Sequence, residues 1–217
     1  MKSETVLKPK GALFSTKELV IISLFAGLSY VLQLIHPPYK HLGFLEFELS
    51  DVPAVIATLQ YGPLAGILIE LVKNLIKAIT ASTTAWVGEA ANFLISCAYI
   101  LPIGLINRFF IVRKSSLNGT ERKKRKDYFN LVLMFGAGVI TMAFIGALIN
   151  YYIMIPLYAK IFGGMDNILG IASGYISSIK DLAGIVIIGI TPFNIVKGIV
   201  ISIVGYYTHR LIKGRLS

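Results

Sequence analysis

The stretch VPAVIATLQYGPLAGILIELVKNLIKAI, residues 52–79, decides the fold. It is mostly apolar, and Gln60-Tyr61-Gly62-Pro63 interrupts it. Two readings are open. As one kinked membrane span, it puts the basic tail Met1–Lys17 and the basic run Arg113–Lys126 on opposite sides of the bilayer. As two helices joined at Gly62-Pro63, it puts them on the same side. The tail carries Lys2, Lys8, Lys10 and Lys17; the run carries Arg113, Lys114, Arg122, Lys123, Lys124, Arg125 and Lys126. Lys and Arg of short loops gather on the cytoplasmic side, so two helices satisfy the charges and one does not. The stretch therefore reads as a short helix Val52–Gln60, a turn, and a return helix Leu64–Thr80. Ser50 or Asp51 suits the cap of the first, with Pro53 in its first turn. That helix is only about 14 Å long against a hydrocarbon core of roughly 30 Å. It must meet a loop that dips inward. Phe44–Ser50, which alternates apolar and acidic residues, is the candidate.

The rest of the chain fits a membrane protein. Of 217 residues, 55% are hydrophobic, and the mean hydropathy is +0.73, too apolar for a soluble domain. Met1–Lys17 is polar and lacks a signal-peptide pattern. The net charge of +10 sits between apolar runs, so topology explains it and nucleic acid is not an expected partner. The single Cys97 excludes an internal disulfide, and His36, His41 and His209 show no metal spacing. Asn118-Gly119-Thr120 matches a glycosylation sequon but falls on the expected cytoplasmic side.

The expected fold is an all-α membrane protein of one domain, residues 1–217. It has six transmembrane segments near 19–36, 51–61, 63–80, 86–111, 128–158 and 191–210, with both termini cytoplasmic. Ala159–Ile190 reads as an outer segment, with a span beginning near Leu182 and kinked at Pro192 as an open alternative. The last span is read from Thr191-Pro192, a helix start signal.

Polar residues inside the apolar runs mark function. Asn194 and Lys197 are three apart and share a helix face. Lys197 either snorkels to the headgroups or faces a cavity. Glu70, Lys73, Asn74 and Lys77 fall on related faces of the return helix; Glu70 pairs with Lys73 or Asn74, or the face lines a cavity or the interface. Glu46, Glu48, Asp51, Glu89, Asn92, Asn150, Asn194 and Lys197 all fall in the outer half of this topology. Together they suggest one outward-facing cavity with Phe44, Phe47, Trp86, Tyr151, Tyr152 and Phe193 nearby; the interfacial belt is the other reading of those aromatics. Neither a phosphate-binding Gly-rich loop nor a His-Glu-x-x-His or Gly-x-Ser-x-Gly motif is present. No catalytic, metal or cofactor residue is assigned, and an enzyme is not expected.

Several ordered motifs carry a resemblance: Leu49-Ser50-Asp51-Val52-Pro53-Ala54, Gln60-Tyr61-Gly62-Pro63-Leu64-Ala65-Gly66, Gly88-Glu89-Ala90-Ala91-Asn92-Phe93, Asn150-Tyr151-Tyr152 with Pro156 and Tyr158, and Pro192-Phe193-Asn194-Ile195-Val196-Lys197-Gly198. In order and spacing the chain resembles the substrate-capture (S) components of energy-coupling-factor (ECF) vitamin transporters, and among them the riboflavin-specific ones. The resemblance implies a six-helix fold with an outward pocket in a prokaryotic cell membrane. Riboflavin would be the transported ligand, not a cofactor. The implied partners are an ECF transmembrane coupling subunit, two cytoplasmic ATPase subunits and membrane lipid. Carried over by position, ligand contacts would come from Phe47, Glu48, Leu49, Ser50, Asp51, Asn92, Asn150, Asn194 and Lys197. Docking would use the small-residue stripe of the first helix, here Ser23, Ala26 and Gly27, which departs from the family's Ala-xxx-Ala. The alternatives are an S component for another vitamin and an ion-coupled carrier in which Glu70 or Glu89 relays protons.

Overall fold

A computed structural model describes residues 13–35, 41–116, 124–161 and 163–216, without the side chains of 111–116 and 124–127. The first twelve residues, the His36-Pro37-Pro38 end of the first span, the sequon and Arg122–Lys123 lie outside the described residues. The rest is helical, with one isolated bridge, His41 to Leu45, and no strand among the described residues.

Helix α1 (Thr16–Leu34) starts on a capping box: the Ser15 side chain accepts from the Glu18 backbone, and Glu18 accepts from the Ser15 N–H. Its inward stripe is Ile22, Ala26, Ser29 and Gln33, whereas Leu19, Val20, Leu24, Leu28 and Val31 face outward. Ala26 therefore does not lie with Ser23 and Gly27 on an open docking stripe. It is 2% exposed, in the core, while the other two are exposed. Four-residue spacing put Ser23 and Gly27 on one face, and Ala26, one residue before Gly27, falls about 100° away round the helix.

Helix α2 (Val52–Tyr61) is buried from Val52 to Leu59. It is apolar nearly all round, which is the pattern of a central helix, and it packs on α1, α3 (Pro63–Thr80), α4 (Val87–Ser116) and α9 (Thr191–Leu216). The break between α2 and α3 is a single residue, Gly62, at φ +97, with Pro63 opening the next helix. Gly66 then lets the two helices touch. A Cβ there would stand 2.0 Å from Thr58 Oγ1 and 2.9 Å from the Ala54 carbonyl oxygen.

Helix α5 (Lys124–Ile149) runs through a π-helical stretch, Asn150–Met154, into α6 (Ile155–Ile161). The segment read as an outer connection holds another helix, α7 (Met165–Tyr175). The last helical run starts not at Thr191 but near Leu182, the alternative left open in the sequence. The cap is Asp181, whose carboxylate accepts from the Gly184 N–H at 2.7 Å. Helix α8 (Leu182–Gly184) then continues through a π-helical stretch, Ile185–Ile190, into α9. Pro192 is thus inside a continuous helical run. The wider π turn accommodates a residue that has no N–H to give, and Thr191 Oγ1 donates to the Val186 carbonyl at 2.9 Å.

Among the described residues, four helical runs are long and apolar enough to cross a membrane: Thr16–Leu34, Val87–Phe110, Tyr128–Ile161 and Leu182–Leu216. The main core joins α1 to α5 with α9. Phe14, Tyr61, Ile106, Leu131 and Leu216 pack against it, and the Tyr61 hydroxyl donates to the Leu216 carbonyl at 2.9 Å. A second core, of Leu42, Ile155, Ala159, Ile168, Ala172, Ile179, Ile185, Val186 and Ile190, joins the loop after α1 to α6, α7 and the second π stretch.

Gly66→Ala should lower stability by about 2 kcal/mol, the cost of overpacking a tight contact. Gly27→Ala, which meets nothing within 4 Å, should be neutral or slightly stabilising. Thermal unfolding in detergent checks the pair; equal shifts would contradict the α2–α3 contact.

Candidate functional site

The two cores leave a cavity of about 380 Å³ between them. Several segments supply its polar wall, among them Glu48 from the loop before α2, Asn92 from α4, Asn150 at the start of the first π stretch, and Asn194 with Lys197 from α9. Each arrives for a local reason. Asn150 and Asn194 lie at or just after the two π stretches, where an extra residue per turn rotates the side chains that follow. Gly146 leaves the space into which the Asn194 amide fits; a Cβ there would come within 2.7 Å of Asn194 Nδ2. Phe44, Met142, Ile155 and Phe193 supply apolar wall, with Ile168 and Ile171 of α7.

Behind the wall lies a buried charge cluster. Lys73 is fully buried and its ammonium stands 2.6 Å from both Asp51 Oδ1 and Glu70 Oε2, with Ser50 Oγ at 3.0 Å. Ser96 donates to the same Asp51 oxygen at 3.2 Å. Lys197 stands 3.0 Å from Asp51 Oδ2 and 3.7 Å from Glu48 Oε1. The Asp51 Oδ2 contact is an ion pair without hydrogen-bond alignment. Asn92 links the cluster to α3, donating to Glu48 Oε1 at 3.1 Å and to Asn74 Oδ1 at 3.2 Å. Gln33 of α1 donates to the same Asn74 oxygen.

Of the residues singled out in the sequence, Glu48, Asn92, Asn150, Asn194 and Lys197 line the cavity. Phe47, Leu49, Ser50 and Asp51 do not. Phe47 packs edge-on against Phe193, Leu49 is 38% exposed, and Ser50 and Asp51 are buried beneath the wall. The stretch turns into α2 at this point, with the Val52 N–H bonded to the Leu49 carbonyl, so its alternation does not carry every second residue to the cavity. Trp86 and Tyr152 point away, 65% and 70% exposed, whereas Phe44 and Phe193 face in. Glu70 pairs with Lys73, one of the two partners read from its spacing. Lys77, one turn beyond Lys73 on α3, lines the cavity, as the cavity-lining reading of that face has it; Gln33, Thr83 and Thr84 were not singled out in the sequence and also lie on the wall.

Three of the polar atoms here are unfinished. Asn194 Nδ2, Glu48 Oε2 and Gln33 Oε1 are buried and have no hydrogen-bond partner among the described residues. Buried polar atoms without partners are costly and rare. On a cavity wall they are positions for a ligand's own donors and acceptors.

The fold and this cavity define a membrane subunit that binds a small molecule, and comparison with known proteins gives its class. Residues 17–207 match the family model described as "ECF transporter, substrate-specific component". The chain belongs to that family, which is one of transporter components and not of enzymes. It is 34% identical over 191 residues to the Riboflavin transporter FmnP of Bacillus subtilis, covering 87% of each chain. It is 34% identical over 195 residues to the Riboflavin transporter RibU of Staphylococcus aureus, covering 89% of each. A solved structure described as the S component of a bacterial ECF transporter superposes with a TM-score of 0.62 at 30% identity, over 93% of this chain and 98% of that one.

Replacing Lys73 by Met would leave Asp51 and Glu70 facing each other without the cation between them. A buried pair broken on one side costs about 3–5 kcal/mol, so Lys73→Met should lower the melting temperature of the ligand-free protein sharply. An unchanged melting temperature would contradict the cluster's role in holding the helices.

Proposed function

We propose that the chain captures riboflavin in a cavity open to the outside of a prokaryotic cell membrane and hands it to an ECF module for ATP-driven uptake. The observation that carries the reading is the convergence of Glu48, Asn92, Asn150, Asn194 and Lys197 on one half-apolar cavity, with unpartnered buried atoms among them. The flavin ring has a uracil-like edge, one N–H between two carbonyls, on a flat apolar body. Primary amides such as Asn150 and Asn194 both donate and accept, and an unpartnered Asn194 nitrogen suits a ring carbonyl. The names of the relatives point to the same ligand. A cavity of about 380 Å³ is within the usual size of small-molecule sites.

The orientation rests on charge and packing. Phe14 near the start of α1, Tyr61 at the α2–α3 turn, Ile106 and Leu131 flanking the basic connection, and Leu216 at the end of α9 pack on the same core. The basic residues attached to those points belong in the cytoplasm, which turns the cavity outward. Six membrane segments result, with α2 and α3 completing the set although α2 alone is too short to span. Both termini are then cytoplasmic. The partners are the ECF transmembrane coupling subunit and two ATPase subunits. Ser23 and Gly27 of α1 offer them a surface of small residues; the Ser23 hydroxyl is satisfied by the Leu19 carbonyl at 2.9 Å and presents no unpaired donor to an apolar neighbour.

Asn194→Ala should weaken riboflavin binding about tenfold or more, the usual effect of removing one hydrogen bond in a closed site. Lys197→Met should also weaken it, with a fall in stability because Asp51 loses a partner. Fluorescence quenching on titration with riboflavin checks both. Unchanged affinity in both would remove the ligand from this cavity. Ser23→Leu and Gly27→Leu should leave binding intact and reduce uptake by the assembled transporter. Full uptake would move the docking face elsewhere.

A further inference from the structure

We propose that Glu89 is a charge filter in this cavity: its carboxylate accepts hydroxyls from a neutral flavin's polyhydroxyl tail and rejects a phosphate ester in the same place. The proposal rests on the cavity being a flavin site and adds which flavins it admits.

Among the described residues, the cavity wall carries three carboxylates, Glu46, Glu48 and Glu89, and two ammoniums, Lys77 and Lys197. Both cations already have carboxylate neighbours. Lys197 has Asp51 at 3.0 Å and Glu48 at 3.7 Å; Lys77 has Glu46 at 3.8 Å. No cation pairs with Glu89 among the described residues. Its Oε2 accepts instead from two hydroxyls, Ser82 Oγ at 2.9 Å and Thr84 Oγ1 at 3.3 Å. Those hydroxyls are themselves oriented. Ser82 Oγ accepts from the Trp86 N–H at 3.0 Å, and Thr84 Oγ1 from the Gly88 N–H at 3.0 Å. Their protons are thereby turned toward Glu89, which is 5% exposed and fixed in place. The other oxygen, Oε1, is left as an acceptor for whatever enters.

Glu48 Oε2 is a second acceptor on the wall, buried and without a hydrogen-bond partner among the described residues. A ligand complements it by bringing O–H or N–H groups. A polyhydroxyl chain does so. A phosphate monoester in the same place brings mainly acceptors and a charge of about −1.5 to −2 at neutral pH. It could recruit Lys77 only by drawing that cation from Glu46. Like charges placed together in a closed site are a standard means of excluding the wrong ligand. Glu89 also lies in the first turn of α4, where a carboxylate stabilises the helix end. That role would affect two flavins equally and cannot alter the ratio of their affinities.

The test is a pair of fluorescence-quenching titrations on the purified full chain in detergent, with riboflavin and with flavin mononucleotide at fixed ionic strength. Wild type should favour riboflavin by about 100-fold. Glu89→Gln should compress that ratio at least tenfold, chiefly by tightening the mononucleotide, and Glu89→Asp should preserve it. Glu46→Gln, which releases Lys77, should compress it too and decides the matter if Glu89→Gln does not fold. A wild-type ratio near one, or a large ratio that none of the neutral variants changes, would overturn the filter and leave riboflavin capture standing. Failure of wild type to bind either flavin would overturn riboflavin capture and the filter with it.

Discussion

Asp51 is the constraint on which the other parts of the site depend. One of its oxygens takes the Lys73 ammonium of α3 and the Ser96 hydroxyl of α4; the other faces the Lys197 ammonium of α9. Asp51 itself stands at the N-terminus of α2, where a carboxylate is favoured by the helix dipole. A single buried carboxylate therefore fixes four helices relative to one another. Such a group is expensive to bury, and a network of this kind is weak evidence for stability by itself. Its value is positional. Lys197 is held at the cavity wall by a partner behind it, so it does not sway toward the membrane surface as an unpaired lysine would.

The apolar framework complements this arrangement. The main core sets α2 at the centre and packs it through small residues; Gly66 admits Thr58, and Gly205 of α9 admits Val55. The second core is built from the loop after α1, α6, α7 and the second π stretch. Because the cavity lies between the cores, its wall combines a rigid polar side with an apolar side contributed by α7 and the loop. Such a division suits capture and release: the hydrogen-bonding groups stay fixed while the element with fewer polar ties can shift. Glu46 and Lys77, partly exposed and 3.8 Å apart, form the looser polar edge.

Much of the framework was legible in the sequence, for reasons that can be stated. Gly62-Pro63 combines a residue that tolerates positive φ with one preset for a helix start, so the break between α2 and α3 could be read directly. The spacing of Glu70 and Lys73 announced a pair. The clustering of amides and acids announced a cavity, and of Glu46, Glu48, Asp51, Glu89, Asn92, Asn150, Asn194 and Lys197 all but Asp51 line it. What escaped was long-range or depended on helical phase. That Asp51 reaches Lys73 and Lys197 is a contact between residues far apart in the chain. The place of Ala26 on the buried face of α1 is set by packing against α2 and α3, not by its small size. The π stretches leave no local signature, so the sequence left the start of the last run open between Thr191-Pro192 and a point near Leu182, and the Asp181 cap selects the second. The alternating stretch Phe44–Ser50 could not show where it would turn into α2, and so Phe47, Leu49 and Ser50, with Asp51 just beyond it, were placed at the cavity without reaching it.

The most direct test is the structure of the riboflavin-soaked protein, read at one place: the space enclosed by Asn150, Asn194 and Lys197. The expected result is flavin density with the ring edge within hydrogen-bond distance of the two amides and the tail directed toward Glu89. Density elsewhere, or an empty cavity in a protein that binds riboflavin stoichiometrically, would contradict the assignment of this cavity.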